Sequence, residues 1–152
     1  MGEHHPVRNG SDAQALARRV ADRMWVNDHA TQALGMRVVE VTPGTARLTL
    51  TVRREMLNGH EICHGGFIFT LADSAFAYAC NSYNLVTVAS GCSIDFLAPA
   101  REGDELTAHA HERSASGRTG VYDIEVTNQR GEKIALFRGK SYRIKGHVVD
   151  EA

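Results

Sequence analysis

The sequence predicts an α+β domain, a strongly curved antiparallel β-sheet wrapped around one long central helix. Three observations predict it. Residues 67–80 read Phe-Ile-Phe-Thr-Leu-Ala-Asp-Ser-Ala-Phe-Ala-Tyr-Ala-Cys, and a helix apolar on nearly all sides is buried on nearly all sides. Two strand candidates precede this helix, and four follow it without another helix between them. No other element is large enough to bury the helix, so one sheet must do so.

The elements run in this order. Residues 1–10 are expected to be unstructured. Ser11 or Asp12 can cap a helix through about Trp25, whose stripe is Ala15, Leu16, Val20, Ala21 and Met24. Leu34 to Val41 reads as a strand, and Thr42-Pro43-Gly44-Thr45 as a turn. Ala46, Leu48, Leu50 and Val52 then alternate with Arg47, Thr49, Thr51 and Arg53, as in a strand with one buried face. A loop over 54–64 leads into the central helix, which ends near Asn81. Strand candidates follow at 85–97, 104–114, 118–128 and 132–144. The short separators at 99–103, 115–117 and 129–131 imply antiparallel hairpins. One domain over 11–145 results, with 146–152 as a C-terminal tail.

The totals narrow the class. A chain of 152 residues makes one domain that buries about two thirds of its unfolded surface. The net charge of −1 gives no electrostatic footprint for nucleic acid. Three cysteines, Cys63, Cys80 and Cys92, are an odd number without paired spacing and point to a reducing compartment. The first residues carry no apolar signal core, and no apolar run is long enough to span a bilayer. A cytoplasmic protein, with neither nucleic acid nor membrane as partner, is expected.

The chemistry concentrates in Asn58-Gly-His-Glu-Ile-Cys-His-Gly-Gly-Phe-Ile-Phe-Thr-Leu-Ala-Asp73. A polar loop runs into Gly65 and Gly66, which open the helix. A helix start offers unpaired N–H groups and the positive end of a dipole, and glycines let a ligand oxygen approach closely. Asp73 stands in the third turn, where burial is costly unless partners compensate. An oxyanion-binding helix start with a carboxylate further along suggests acyl chemistry. Asp73 is then a general base or a nucleophile; the alternative is a structural carboxylate bonded to backbone or an arginine. For the glycines the alternative is a tight loop-to-helix junction. Asn58 can orient a water or a carbonyl, or make an Asx-type turn. His64 can bond substrate or fix the loop, with the second role favoured. His60, Cys63 and His64 lack a fourth metal ligand, and neighbouring Cys63 and His64 tend to point apart, so no metal is expected.

The pattern N-G-H-x-x-C-H-G-G-x-x-F-x-L-A-D over 58–73 resembles the hotdog-fold acyl-CoA thioesterases of the phenylacetate-pathway type. In strand layout the resemblance extends over about 35–145. It implies the hotdog fold and hydrolysis of an acyl-CoA, with phenylacetyl-CoA or a hydroxylated phenylacetyl-CoA preferred. It implies a catalytic-site role for Asn58 and the carbonyl over Gly65 and Gly66. It also implies that Asp73 reaches each site from the partner subunit of a homodimer, and that such dimers pair into tetramers. The strand Val86–Leu97 is the candidate for edge-to-edge pairing. No cofactor is implied, coenzyme A being part of the substrate. Its phosphates need cations or helix ends: Arg113, Arg118, Arg138 and Lys140 are candidates, with Gly139 permitting close approach of the pantetheine arm. A dehydratase acting on acyl carrier protein would usually pair a catalytic His with an acid, and the helix carries Asp73 and no His. A non-enzymatic acyl-CoA sensor would need an output segment, and the N-terminal helix has no helix-turn-helix partner.

Overall fold

The computed structural model describes residues 10–150. Residues 1–9, expected to be unstructured, lie outside the described residues, as do 151 and 152. The elements are α1 (Gly10–Asn27), α2 (His29–Ala33), β1 (Arg37–Thr42), β2 (Thr45–Thr51), α3 (Gly65–Asn81), β3 (Thr87–Phe96), β4 (Glu105–Ser116), β5 (Thr119–Thr127) and β6 (Lys133–Arg143), with a single 3₁₀ turn at Arg54–Met56. The six strands form one antiparallel sheet in the order β1-β2-β4-β5-β6-β3. Helix α3 touches every strand.

Alternation along the strands builds the core. Ala46, Leu48 and Leu50 of β2, Leu106, Ala108 and Ala110 of β4, and Tyr122, Ile124 and Val126 of β5 all turn inward and are buried. The registers align them in rows, such as Leu48, Ala108 and Val126. Small side chains recur on both partners, with Ala72, Ala75 and Ala79 of α3 also buried, so the helix lies close to the sheet. Phe76 fills the space beyond, against Tyr122 and Phe137 with ring centroids at 5.6 and 6.1 Å.

Several expectations change. Helix α1 begins at Gly10, so Gly10 is ordered and Ser11 and Asp12 stand inside the first turn rather than at the cap. Helix α2 was not expected; Asp28 caps it by accepting from the Thr31 N–H, and the Tyr78 hydroxyl donates to the other Asp28 oxygen at 3.0 Å. The separator at 99–103 is a crossover rather than a hairpin. Strand β3 pairs with β6 at the far edge, because the connection is tied elsewhere. Cys63 N–H donates to Ala100 C=O and Val52 N–H to Asp104 C=O. The Asp104 carboxylate accepts from Gln129 Nε2 at 2.8 Å and from the Arg101 N–H at 2.9 Å.

The tail is also held. Buried Asn84, at φ 69°, accepts from the Val149 N–H and donates to the Val149 C=O, at 2.8 and 2.9 Å. Arg19 of α1 donates to the Asp150 C=O at 2.8 Å. Among the described residues no helix is long and apolar enough to cross a membrane.

Candidate active site

The loop before α3 closes on itself. Asn58 N–H donates to Ile62 C=O at 2.9 Å, and an isolated bridge pairs Leu57 with Cys63. The Asn58 side-chain oxygen accepts from the His60 N–H at 2.9 Å, the Asx-type turn foreseen as one of its roles. Its amide NH2 has no partner among the described residues and remains free to donate.

His64 is the N-cap of α3. Its Nδ1 accepts from the Gly66 N–H at 2.9 Å, so the ring carries its proton on Nε2. This bond ties the loop to the helix start. The cap also separates the two glycines. Gly66 N–H is taken, while Gly65 N–H has no partner among the described residues. A Cβ on Gly65 would lie 2.9 Å from the Phe96 ring, so a larger residue here would push aside the exposed ring that crosses the helix start. Asn58, Cys63, Gly65, Ile68, Phe96 and Pro99 line a cavity of about 550 Å³ here.

Asp73 lies elsewhere. Eight residues along α3 from Gly65 place it about 12 Å down the axis, against a hydrogen-bond reach of about 3 Å. It does not line the cavity. It sits on a partly open stripe of α3, with Gly66, Thr70 and Ala77. Among the described residues its carboxyl has no hydrogen-bond partner, and half-burial raises its pKa above the ordinary carboxylate value. No arginine compensates it, so the structural-carboxylate alternative finds no support among the described residues. Cys92 of β3, exposed and facing α3, is close enough to feel its charge.

Cys63 is buried and its thiol is pushed up to about 11 by that burial, so it is neither thiolate nor nucleophile at neutral pH. His60 is exposed and the His64 Nδ1 is occupied. Among the described residues no three His, Cys, Asp or Glu side chains gather as a metal site.

The cation candidates divide. Arg138-Gly139-Lys140 splits across two faces, because strand side chains alternate. Arg138 and Lys140 point out; Gly139 points in and is buried. A Cβ on Gly139 would meet the Phe76 ring at 2.8 Å, so Gly139 makes room for the core and not for a pantetheine arm. Arg138 forks onto Asp123 at 2.7 and 2.9 Å, and Arg113 shares that carboxylate at 3.1 Å. These arginines hold Asp123 below the usual carboxylate range and are committed to it rather than free for phosphate. Arg118 is exposed in the β4–β5 turn and lines a second cavity.

Two neighbours escaped the sequence reading. Phe96 over Gly65 could not be placed without knowing that β3 runs past the helix start. Arg143 lies beside Arg118 because β5 and β6 form a hairpin, and counting back from the 129–131 turn would have paired them.

A single sheet wrapped on one long helix, with a glycine helix start and a carboxylate in the third turn, defines a hotdog fold of the thioester-hydrolysing kind. Residues 60–135 match the thioesterase superfamily. The chain is 54% identical over 132 residues to the acyl-coenzyme A thioesterase PaaI of Escherichia coli K12, covering 87% of this chain and 94% of that protein. It superposes on the structure of the E. coli PaaI protein from the phenylacetic acid degradation operon with a TM-score of 0.88 and 52% identity, covering 89% of this chain and 98% of the other. A Streptococcus mutans UA159 protein bound to acetyl CoA aligns with a TM-score of 0.71 at 27% identity, over 74% of this chain and 90% of that one. The chain belongs to the thioesterase superfamily and is a thioester hydrolase.

Proposed function

We propose that the protein hydrolyses an acyl-CoA whose acyl group is arylacetyl, phenylacetyl or hydroxylated phenylacetyl, and that it does so as a cytoplasmic homodimer without a metal or other cofactor. The observation that carries this reading is the separation within one chain: an unpaired Gly65 N–H at a helix start, and an unpaired Asp73 about 12 Å away along the same helix. Neither is sufficient alone. Strand β3, exposed on both faces at the sheet edge, and the open stripe of α3 lie side by side. A second copy seated there brings the partner subunit's Asp73 to Gly65. Similarity to PaaI of E. coli supports the acyl group.

In the reaction the thioester carbonyl accepts from the Gly65 N–H, a donor worth about 2.7–4 kcal/mol as charge develops on the oxygen. The free Asn58 NH2 is the second donor, to the carbonyl or to water. Asp73, its basicity raised by burial, takes a proton from water as the water oxygen adds to the carbonyl carbon. The C–S bond then breaks, and the proton passes to the leaving thiolate. Direct attack by the carboxylate, through an anhydride, uses the same geometry. His64 holds the helix start in place and touches no reacting atom.

The test is a panel of acyl-CoAs with a thiol reagent. Release of CoA fastest from arylacetyl thioesters is expected. No release from any thioester would end the reading, and a straight-chain preference would end its substrate half.

A further inference from the structure

Strand β4 carries His109 and His111 two residues apart, so both rings stand on the same face of the sheet. Ala108 and Ala110 are buried on the other face, against the core, which leaves the two histidines on the outer side, away from α3. Their ring centroids lie 4.0 Å apart, with the planes at 47°. Both are half-buried, yet among the described residues neither ring makes a hydrogen bond or an ion pair. Strand β4 is an interior strand, laddered to β2 and to β5, so the backbone fixes the spacing of the pair. The register places Arg47 and Glu125 beside His109, and Thr45 and Asp123 beside His111. Arg47 is paired with Glu40 at 2.9 Å and Glu125 with Lys133 at 3.1 Å, so charge cancels around His109. Arg113 and Arg138 share Asp123, which leaves an excess cation beside His111. Two imidazolium rings this close would repel each other and that cation. Burial, then His111 and Arg47, lower the pKa of His109, against Glu40 and Glu125, which raise it. Neutral imidazole is the form that ligates metal.

We propose that His109 and His111 form a two-imidazole chelate for a divalent transition-metal ion (nickel, copper or zinc) on the outer face of the sheet, separate from the hydrolytic site. Ring nitrogens each about 2.0–2.1 Å from one ion stand about 3–3.5 Å apart. Rings with centroids at 4.0 Å reach that separation by turning about their side-chain bonds, with no movement of the strand. Among the described residues no third His, Cys, Asp or Glu completes a metal site, so water fills the remaining positions and the ion is exchangeable. The excess cation beside His111 opposes any positive ion, so nitrogen donation rather than charge supplies the affinity. Mg²⁺ and Ca²⁺ prefer oxygen ligands and are not held here. The proposal goes beyond the hydrolysis reading and stands independently of it.

The experiment titrates the full chain, freed of metal by a chelator, with Ni²⁺ in a calorimeter at about pH 7.5, where imidazole is largely neutral. One ion per chain should bind at this site, and Mg²⁺ should give no heat. His109→Gln and His111→Gln should each lower the Ni²⁺ affinity about tenfold or more, because a single nitrogen remains. Circular dichroism and the metal-free Tm should match the wild type, so that weaker binding is not lost structure. Ni²⁺ should raise the Tm of the wild type more than that of either variant. The variant His4→Ala, His5→Ala removes the other close histidine pair of the sequence and should keep the site. Cu²⁺ bound to that variant should show coupling to two nitrogens in its paramagnetic resonance spectrum. Equal Ni²⁺ affinity in the wild type and in both Gln variants would overturn the proposal. So would loss of binding in the His4, His5 variant, or a copper spectrum with one nitrogen coupling or none.

Discussion

The two edges of the sheet are treated differently. At one edge β1 lies under α1, with Leu16, Ala17, Val20 and Ala21 buried and Gln14 Nε2 donating to the Val41 C=O at 2.9 Å. At the other, β3 pairs only with β6 and has only the partly open stripe of α3 beside it, and Val88, Phe96 and Leu97 are exposed at 43, 53 and 52%. A bare, apolar edge is ordinarily shielded by charge, proline or a covering element. The difference teaches that this chain completes one edge itself and leaves the other, beside Asp73, uncovered, as the proposed dimer requires. Structural cost and catalytic cost should therefore fall on opposite sides of the molecule.

The largest expected effect is at the bare side. Asp73→Asn should lower kcat by about 100-fold or more, the usual contribution of a positioned base, while the protein stays folded and associated. A variant that kept most of its rate would remove the chemical reason for the open edge.

Next come matched substitutions on the two edges. Val88→Glu should dissociate the proposed dimer and lower activity about tenfold at micromolar protein, because it would bury charge where the second copy is proposed to sit. Val39→Glu, at a site 54% exposed on β1, should change either quantity less than about twofold, as surface substitutions do. Sedimentation with parallel assays would show it; equal effects would erase the distinction.

The closed edge should register as stability. Leu16→Ala should cost about 2–5 kcal/mol in urea unfolding and leave kcat per folded enzyme unchanged.

The smallest effect concerns pH. Burial raises the Asp73 pKa in the folded state, so the charged form is disfavoured there. Its stability is full below the unfolded value of about 4 and is lost as pH rises through the folded value. Asp73→Asn should therefore have the higher Tm at pH 7, and the gain should vanish toward pH 4. A lower Tm at neutral pH would mean that the carboxylate has a stabilising partner in the assembly.

Most of the fold was legible because its signals are local. Alternation in β2, the apolar run of α3 and the turn glycines each act within a few residues. The place of β3 was not legible, since hydrogen bonds from Cys63, Val52 and Leu97 to distant segments route the chain across the sheet. At the site, 58–73 could be read as a motif, but the division of labour between Gly65 and Gly66 could not. It depends on the rotamer that brings His64 Nδ1 to one N–H. Gly139 misled because pattern alone does not say which face a strand glycine serves; the Phe76 ring decided it.

Strand β3 reads Thr-Val-Ala-Ser-Gly-Cys-Ser-Ile-Asp-Phe, with Asp95 as its single charge and no lysine or proline. During folding such a strand is a hazard before it is an asset. Until a partner covers it, correct pairing competes with any other exposed strand in solution. Both processes are bimolecular, so neither dilution nor concentration alone favours the right one. What discriminates is shape: the ladder to β6 slips between Ala89 and Gly91, and an edge bent at that point accepts a neighbour in few registers. Refolding yield should then depend on that bulge more than on the stability of the finished protein.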